Sequence, residues 1–181
     1  MTAQLGRDSG PDDRDRDRDR DASGRARNAR PRDSLGRPLP RSEVTEPTIA
    51  DEPTLPAAQA LAAAQDLLDT GRPFHAHEVL EAAWKAAPTP ERDLWQGLAQ
   101  IAVGLTHALR GNARGATALL RRGSDRLDGY PSPGPHDVDV DGVTHASRAL
   151  ADRIEATGLT GLDAAFLRIR LRIDRSTPGV G

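Results

Sequence analysis

Residues 73–115 read PFHAHEVLEAAWKAAPTPERDLWQGLAQIAVGLTHALRGNARG, and their punctuation decides the fold. Pro73 suits the first turn of a helix that runs to about Ala86 and ends before Pro88. Thr89-Pro90 then reads as an N-cap followed by a first-turn proline, and Glu91 and Asp93 suit the positive end of a helix. This third helix, the longest, spans about Pro90 to Arg110 and is stopped by Gly111-Asn112. Connections this short favour antiparallel neighbours.

Working outward, Leu61, Ala64 and Leu68 recur at helical spacing behind Pro56, which suits a first helical position, and Gly71 ends that helix. Leu119, Leu120 and Leu127 carry a fourth helix from Ala113 to Leu127. Tyr130 to Pro135 (YPSPGP) breaks the chain, and a fifth helix is expected over Val143 to Ala156 with Gly158 past its end. Leu167 to Ile173 (LRIRLRI) alternates apolar residues with arginine. A single strand has no partner here, so this stretch is expected to lie on the bundle as an extended tail. The fold class is therefore all-α: a compact bundle of about five helices with antiparallel helix hairpins, occupying residues 54–175.

Residues 1–53 are read as a disordered, charged and proline-rich arm. Asp12 to Asp21 (DDRDRDRDRD) would place like charges at i+4 in a helix, and it has no apolar face to bury. The whole chain, at 36% hydrophobic and 29% charged, is too polar to be globular throughout its length. A net charge of −2 argues against a nucleic-acid partner. The absence of cysteine excludes disulfides, thiolate metal sites and thiol nucleophiles. No apolar run approaches the ~20 residues of a membrane span, and Met1 to Asp21 lacks a signal-peptide core. A cytoplasmic location without membrane contact is the expectation.

The residues that carry chemistry lie on helices two and three. His77, Glu81 and Trp84 stand at i, i+4 and i+7 and share a face, with Glu78 beside them. Gln96, Gln100, Val103 and His107 share a face of the third helix. Gly97 and Gly104, seven residues apart, suggest close packing, with Trp84 lying over one of them. Three readings compete. The cluster is a structural or ligand-binding polar pocket, with Gln96, Gln100 and Trp84 as ligand contacts. It is a divalent-metal site built on His77, Glu81 and His107, with Glu78 as a further ligand. Or it is an acid/base site, with His77, Glu78 and Glu81 as the catalytic candidates of a hydrolase. Neither the zinc-protease spacing nor a repeated Glu-x-x-His pair is present. No Gly-rich phosphate loop or nucleophile elbow occurs. His75, His136 and His145 read as surface residues. A protein-interaction module is the alternative outside enzymology, with a protein as the possible partner.

Four separated pieces, F74-x-x-H77-E78-x-L80-E81-x-x-W84, Q96-G97-L98-x-Q100-x-A102, H107 and G111-N112-x-x-G115-A116, resemble the domain of unknown function 309 family. The likeness covers about Thr70 to Leu127 and is weaker around Val138 to Leu150. It implies a compact helical fold of the kind found in small bacterial, archaeal and plastid proteins, and it brings no activity with it. The matching positions are His77, Glu78, Glu81, Trp84, Gln96, Gly97, His107, Gly111, Asn112 and Gly115.

Overall fold

The computed structural model describes Arg37, residues 55–162 and residues 167–173; the arm expected over 1–53 lies outside the described residues apart from Arg37. Among these residues five α-helices follow in order: α1 (Ala57–Asp69), α2 (Pro73–Ala86), α3 (Arg92–Leu109), α4 (Ala113–Leu127) and α5 (Val140–Thr157). Each packs chiefly on its neighbours in sequence, and the α3/α4 contact is the most extensive.

The turns explain the antiparallel hairpins. Gly71 and Gly111 both adopt positive φ, at 73° and 80°, immediately after α1 and α3. In each turn two N–H groups return to the orphaned carbonyls of the last helical turn. Gly71 and Arg72 donate to Leu68 and Leu67, and Gly111 and Asn112 donate to Ala108 and His107. This double bond closes a helix when the residue past its cap can go left-handed. Three residues then suffice to reverse the chain in both hairpins.

Helix boundaries shift where local capping differs from the sequence pattern. Pro56 is extended and precedes α1 as its cap, not as its first helical residue. Thr89–Glu91 form a 3₁₀ turn and Thr89 makes no side-chain cap, so α3 starts at Arg92. The amide of Leu94 is capped instead from a distance by Tyr130, whose hydroxyl accepts it at 3.1 Å and donates to Pro90 O at 2.7 Å. α5 starts three residues earlier than the pattern suggests, because Asp139 caps Gly142 N–H at 2.9 Å.

α3 is the central helix and is buried on most sides, including Leu94, Trp95, Leu98, Ile101 and Leu105. Its glycines correct the sequence reading. A Cβ on Gly97 would stand 2.9 Å from Gly123 O, and one on Gly104 would stand 3.0 Å from Leu120 Cγ. Both glycines therefore face α4, not Trp84. A Cβ on Gly123 would in turn lie 2.7 Å from both Gly97 O and Ile101 Cγ1. At this crossing two backbones touch with no side chain between them. Trp84 is half-buried at the margin of the core.

The 167–173 stretch behaves as its alternation predicts. Ile169 and Leu171 are buried while Arg168 and Arg170 are exposed. Gln65 on α1 fastens it, accepting Leu171 N–H at 2.7 Å and donating to Ile169 O at 3.3 Å. On its other side Arg172 forms a single antiparallel bridge with Val138.

Replacing Gly123 with alanine should lower stability, because overpacking of about 1–3 kcal/mol outweighs the ~1 kcal/mol gained in helix propensity. Gly129→Ala, where nothing lies within 4 Å of the added carbon, should leave urea midpoints nearly unchanged. Equal midpoints for the two variants would remove the crossing as a constraint.

Candidate functional site

The outer side of the α2/α3 seam carries the polar residues. Pro73, Ala76, Val79, Leu80 and Ala83 turn the buried face of α2 inward. That leaves Phe74, His77, Glu78, Glu81 and Trp84 half-buried along its flank. On α3, Gln96, Gln100, Val103 and His107 are half-buried likewise. The Arg110 guanidinium lies 5.8 Å from the Phe74 ring centre, which fixes the antiparallel register. At roughly 1.5 Å per residue this sets Glu81 near the level of Val103 and Trp84 near that of Gln100.

Two of the three sequence-derived metal ligands meet. His77 Nε2 is 3.4 Å from Glu81 Oε2, and Lys85 Nζ is 2.9 Å from Glu81 Oε1. His107 is engaged elsewhere. Asn112 Oδ1 accepts Gly115 N–H at 2.9 Å, so its amide nitrogen faces His107 Nδ1, 2.8 Å away, and donates to it. A Cβ on Gly115 would lie 2.5 Å from that Asn112 nitrogen and 2.7 Å from His107 Nδ1. His107, Asn112 and Gly115 thus form one capping unit that holds α4 against the end of α3. Among the described residues no group of three or more His, Cys, Asp or Glu side chains is placed to hold a metal ion. The set His77, Glu81 and His107 is therefore not assembled.

Two atoms of the seam stand out. His77 Nδ1 and Gln100 Oε1 are buried and meet no hydrogen-bonding group among the described residues. Burial pushes the His77 imidazole below the usual histidine range; the Glu81 charge opposes this and the Lys85 charge adds to it. A neutral ring with Nε2–H toward Glu81 presents Nδ1 as a bare acceptor. Clefts beside Leu105 and Leu109, along the outer face of α5, and beside Ile169 are lined by other residues.

A second polar cluster was missed by the sequence reading. His136, expected at the surface, bonds through Nε2 to Glu91 Oε2 at 2.8 Å, and its ring centre is 5.9 Å from that of Trp95. Trp95 Nε1–H donates to the same carboxylate oxygen at 3.3 Å. The His136 hydrogen bond holds the Glu91 carboxyl below its ordinary range against the opposing effect of burial, helped by Trp95. His136 and Asp137 both take positive φ, 60° and 64°, which residues other than glycine adopt at a cost. Glu91 and Trp95 stand at i, i+4, a visible signal; the left-handed turn that delivers His136 has no glycine to announce it. This cluster ties the α4–α5 connection to the start of α3.

Since His77 resists protonation when folded, the unfolded chain takes up the proton first, near pH 6.5. Its contribution to stability should be complete above that pH and should be lost as pH falls through the lowered folded value. An NMR titration should place the His77 midpoint below that of a free histidine. A midpoint above it would mean that Glu81, not burial, governs the ring.

Residues 61–119 match the family model described as Domain of unknown function (DUF309). No curated protein and no solved structure matches the chain.

Proposed function

We propose that this domain, whose residues 61–119 match the DUF309 family model, is a ligand-binding module whose binding face is the outer side of the α2/α3 seam. The observation that carries this reading is that two of the seven buried side-chain polar atoms without a hydrogen-bonding partner among the described residues, His77 Nδ1 and Gln100 Oε1, are acceptors on this one seam. A cluster kept for stability satisfies its buried polar groups, since each one left unmade costs about 1–3 kcal/mol. The matching ligand supplies N–H or O–H donors to these two atoms. It lies along Trp84 and Phe74, which offer half-buried aromatic surface of the kind that anchors ligands. Glu81 completes the donor-seeking character of the face, and Gln96 stands one turn beyond Gln100 as a further contact.

The reading is non-catalytic. Glu81 engages His77 and Lys85 while His107 engages Asn112, so the two histidines do not converge on one reacting point. The test is an NMR titration with ethylamine, acetamide and glycerol as probes for amine, amide and hydroxyl donors. At least one probe should shift the Trp84 indole and His77 ring signals saturably, and Gln100→Leu should weaken that response. Saturable shifts confined to other parts of the surface, or an unchanged response in Gln100→Leu, would remove the seam as the binding face.

A further inference from the structure

A cleft of about 740 Å³ runs between α1 and the 167–173 stretch, away from the α2/α3 seam. Its two walls carry opposite charge. Arg168, Arg170 and Arg172 line one side and Asp66 and Asp69 the other. The arginine wall is held in place, since Gln65 bonds to the backbone of Ile169 and Leu171, and Val138 pairs with Arg172. Arg172 also reaches Asp137 Oδ2 at 3.7 Å, and Asp69 Oδ1 accepts from Gln65 at 3.0 Å. Neither contact takes its side chain out of the cleft lining.

Alternation spaces the three guanidinium groups two residues apart, roughly 6.5–7 Å along an extended chain. A longer stretch, in which both alternating residues are charged, has the same period. Residues 13–20 read DRDRDRDR. When extended, such a tract puts all its aspartates on one edge and all its arginines on the other. We propose that this Asp/Arg tract docks in the cleft of its own chain, aspartates toward Arg168, Arg170 and Arg172, arginines toward Asp66 and Asp69. The charge pattern matches on both walls at once, which a purely acidic or purely basic partner cannot do. Residues 21–56 join the tract to α1, and at roughly 3.3 Å per residue they span far more than the length of that helix. Tethering supplies an effective concentration that compensates for the small contribution of each exposed ion pair.

The chain has no cysteine, so Ser23→Cys provides a single spin-label site beside the tract. Attached there in the full chain, the label should broaden amide signals of residues 62–69 and 168–173 more than those of α3 and α4. The broadening should disappear in about 1 M salt, where the screening length is about 3 Å. It should also be lost in Arg168→Glu/Arg170→Glu, two exposed positions, and when residues 13–20 are reordered with the aspartates grouped ahead of the arginines. Broadening that is absent, uniform, indifferent to salt, or preserved after reordering would overturn the proposal. So would broadening of an unlabelled isotopic chain mixed with a labelled one, because that would place the tract on a second copy.

Discussion

Where α3 crosses α4, Gly97 and Gly123 bring two helix backbones into direct contact, and most other features of the fold take their position from that approach. A side chain at either place would push the helices apart by the thickness of a methyl group or more. Leu120 fills the next level against Gly104, and Leu127 closes the one before it against Gly97. With α4 this close on one side, α3 is left to receive α2 on another, through small and aliphatic residues such as Ala76, Val79 and Ala83. The His107–Asn112–Gly115 unit locks the same pair of helices at its turn.

This arrangement divides a motif that looks continuous in the sequence. Gly97, His107, Gly111, Asn112 and Gly115 serve the α3/α4 pair, by close approach, a left-handed turn or a cap. His77, Glu81, Trp84 and Gln100 sit across the other seam and are neither solvated nor fully packed. The two groups answer to different physics. In the first, each polar atom that shapes the turn has a partner. In the second, His77 Nδ1 and Gln100 Oε1 are buried and meet no hydrogen-bonding partner among the described residues. A rigid support behind a half-buried, under-satisfied face is what a preorganised binding surface requires.

Much of the fold was legible from residue pattern because its determinants are local. Gly71 and Gly111 end helices by a conformation that glycine adopts freely, and the alternation of residues 167–173 follows from the two-residue period of an extended chain. The partners of the glycines inside α3 were not legible. Spacing shows that Gly97 and Gly104 share a face of the helix but not which neighbour that face meets, so Trp84 was the natural choice, while Gly123 stands against Gly97 and Leu120 against Gly104. The partner of His107 was not legible for a similar reason. Its type suits a metal, and the competing claim of Asn112 depends on a turn geometry visible only in three dimensions. The Glu91–Trp95–His136 cluster joins residues 45 apart in sequence through a backbone turn that no residue type marks.

The central claim is that the α2/α3 polar face is kept for binding at some expense of stability, while the α3/α4 turn is kept for the fold. Urea unfolding of His77→Leu beside Asn112→Ala tests it most directly. His77→Leu should leave the unfolding free energy unchanged or raise it, because it replaces an unsatisfied buried ring with an apolar group. Asn112→Ala should lower it by about 0.5–2 kcal/mol through loss of the cap. A loss of several kcal/mol in His77→Leu would show that the polar face holds the fold and would contradict the account.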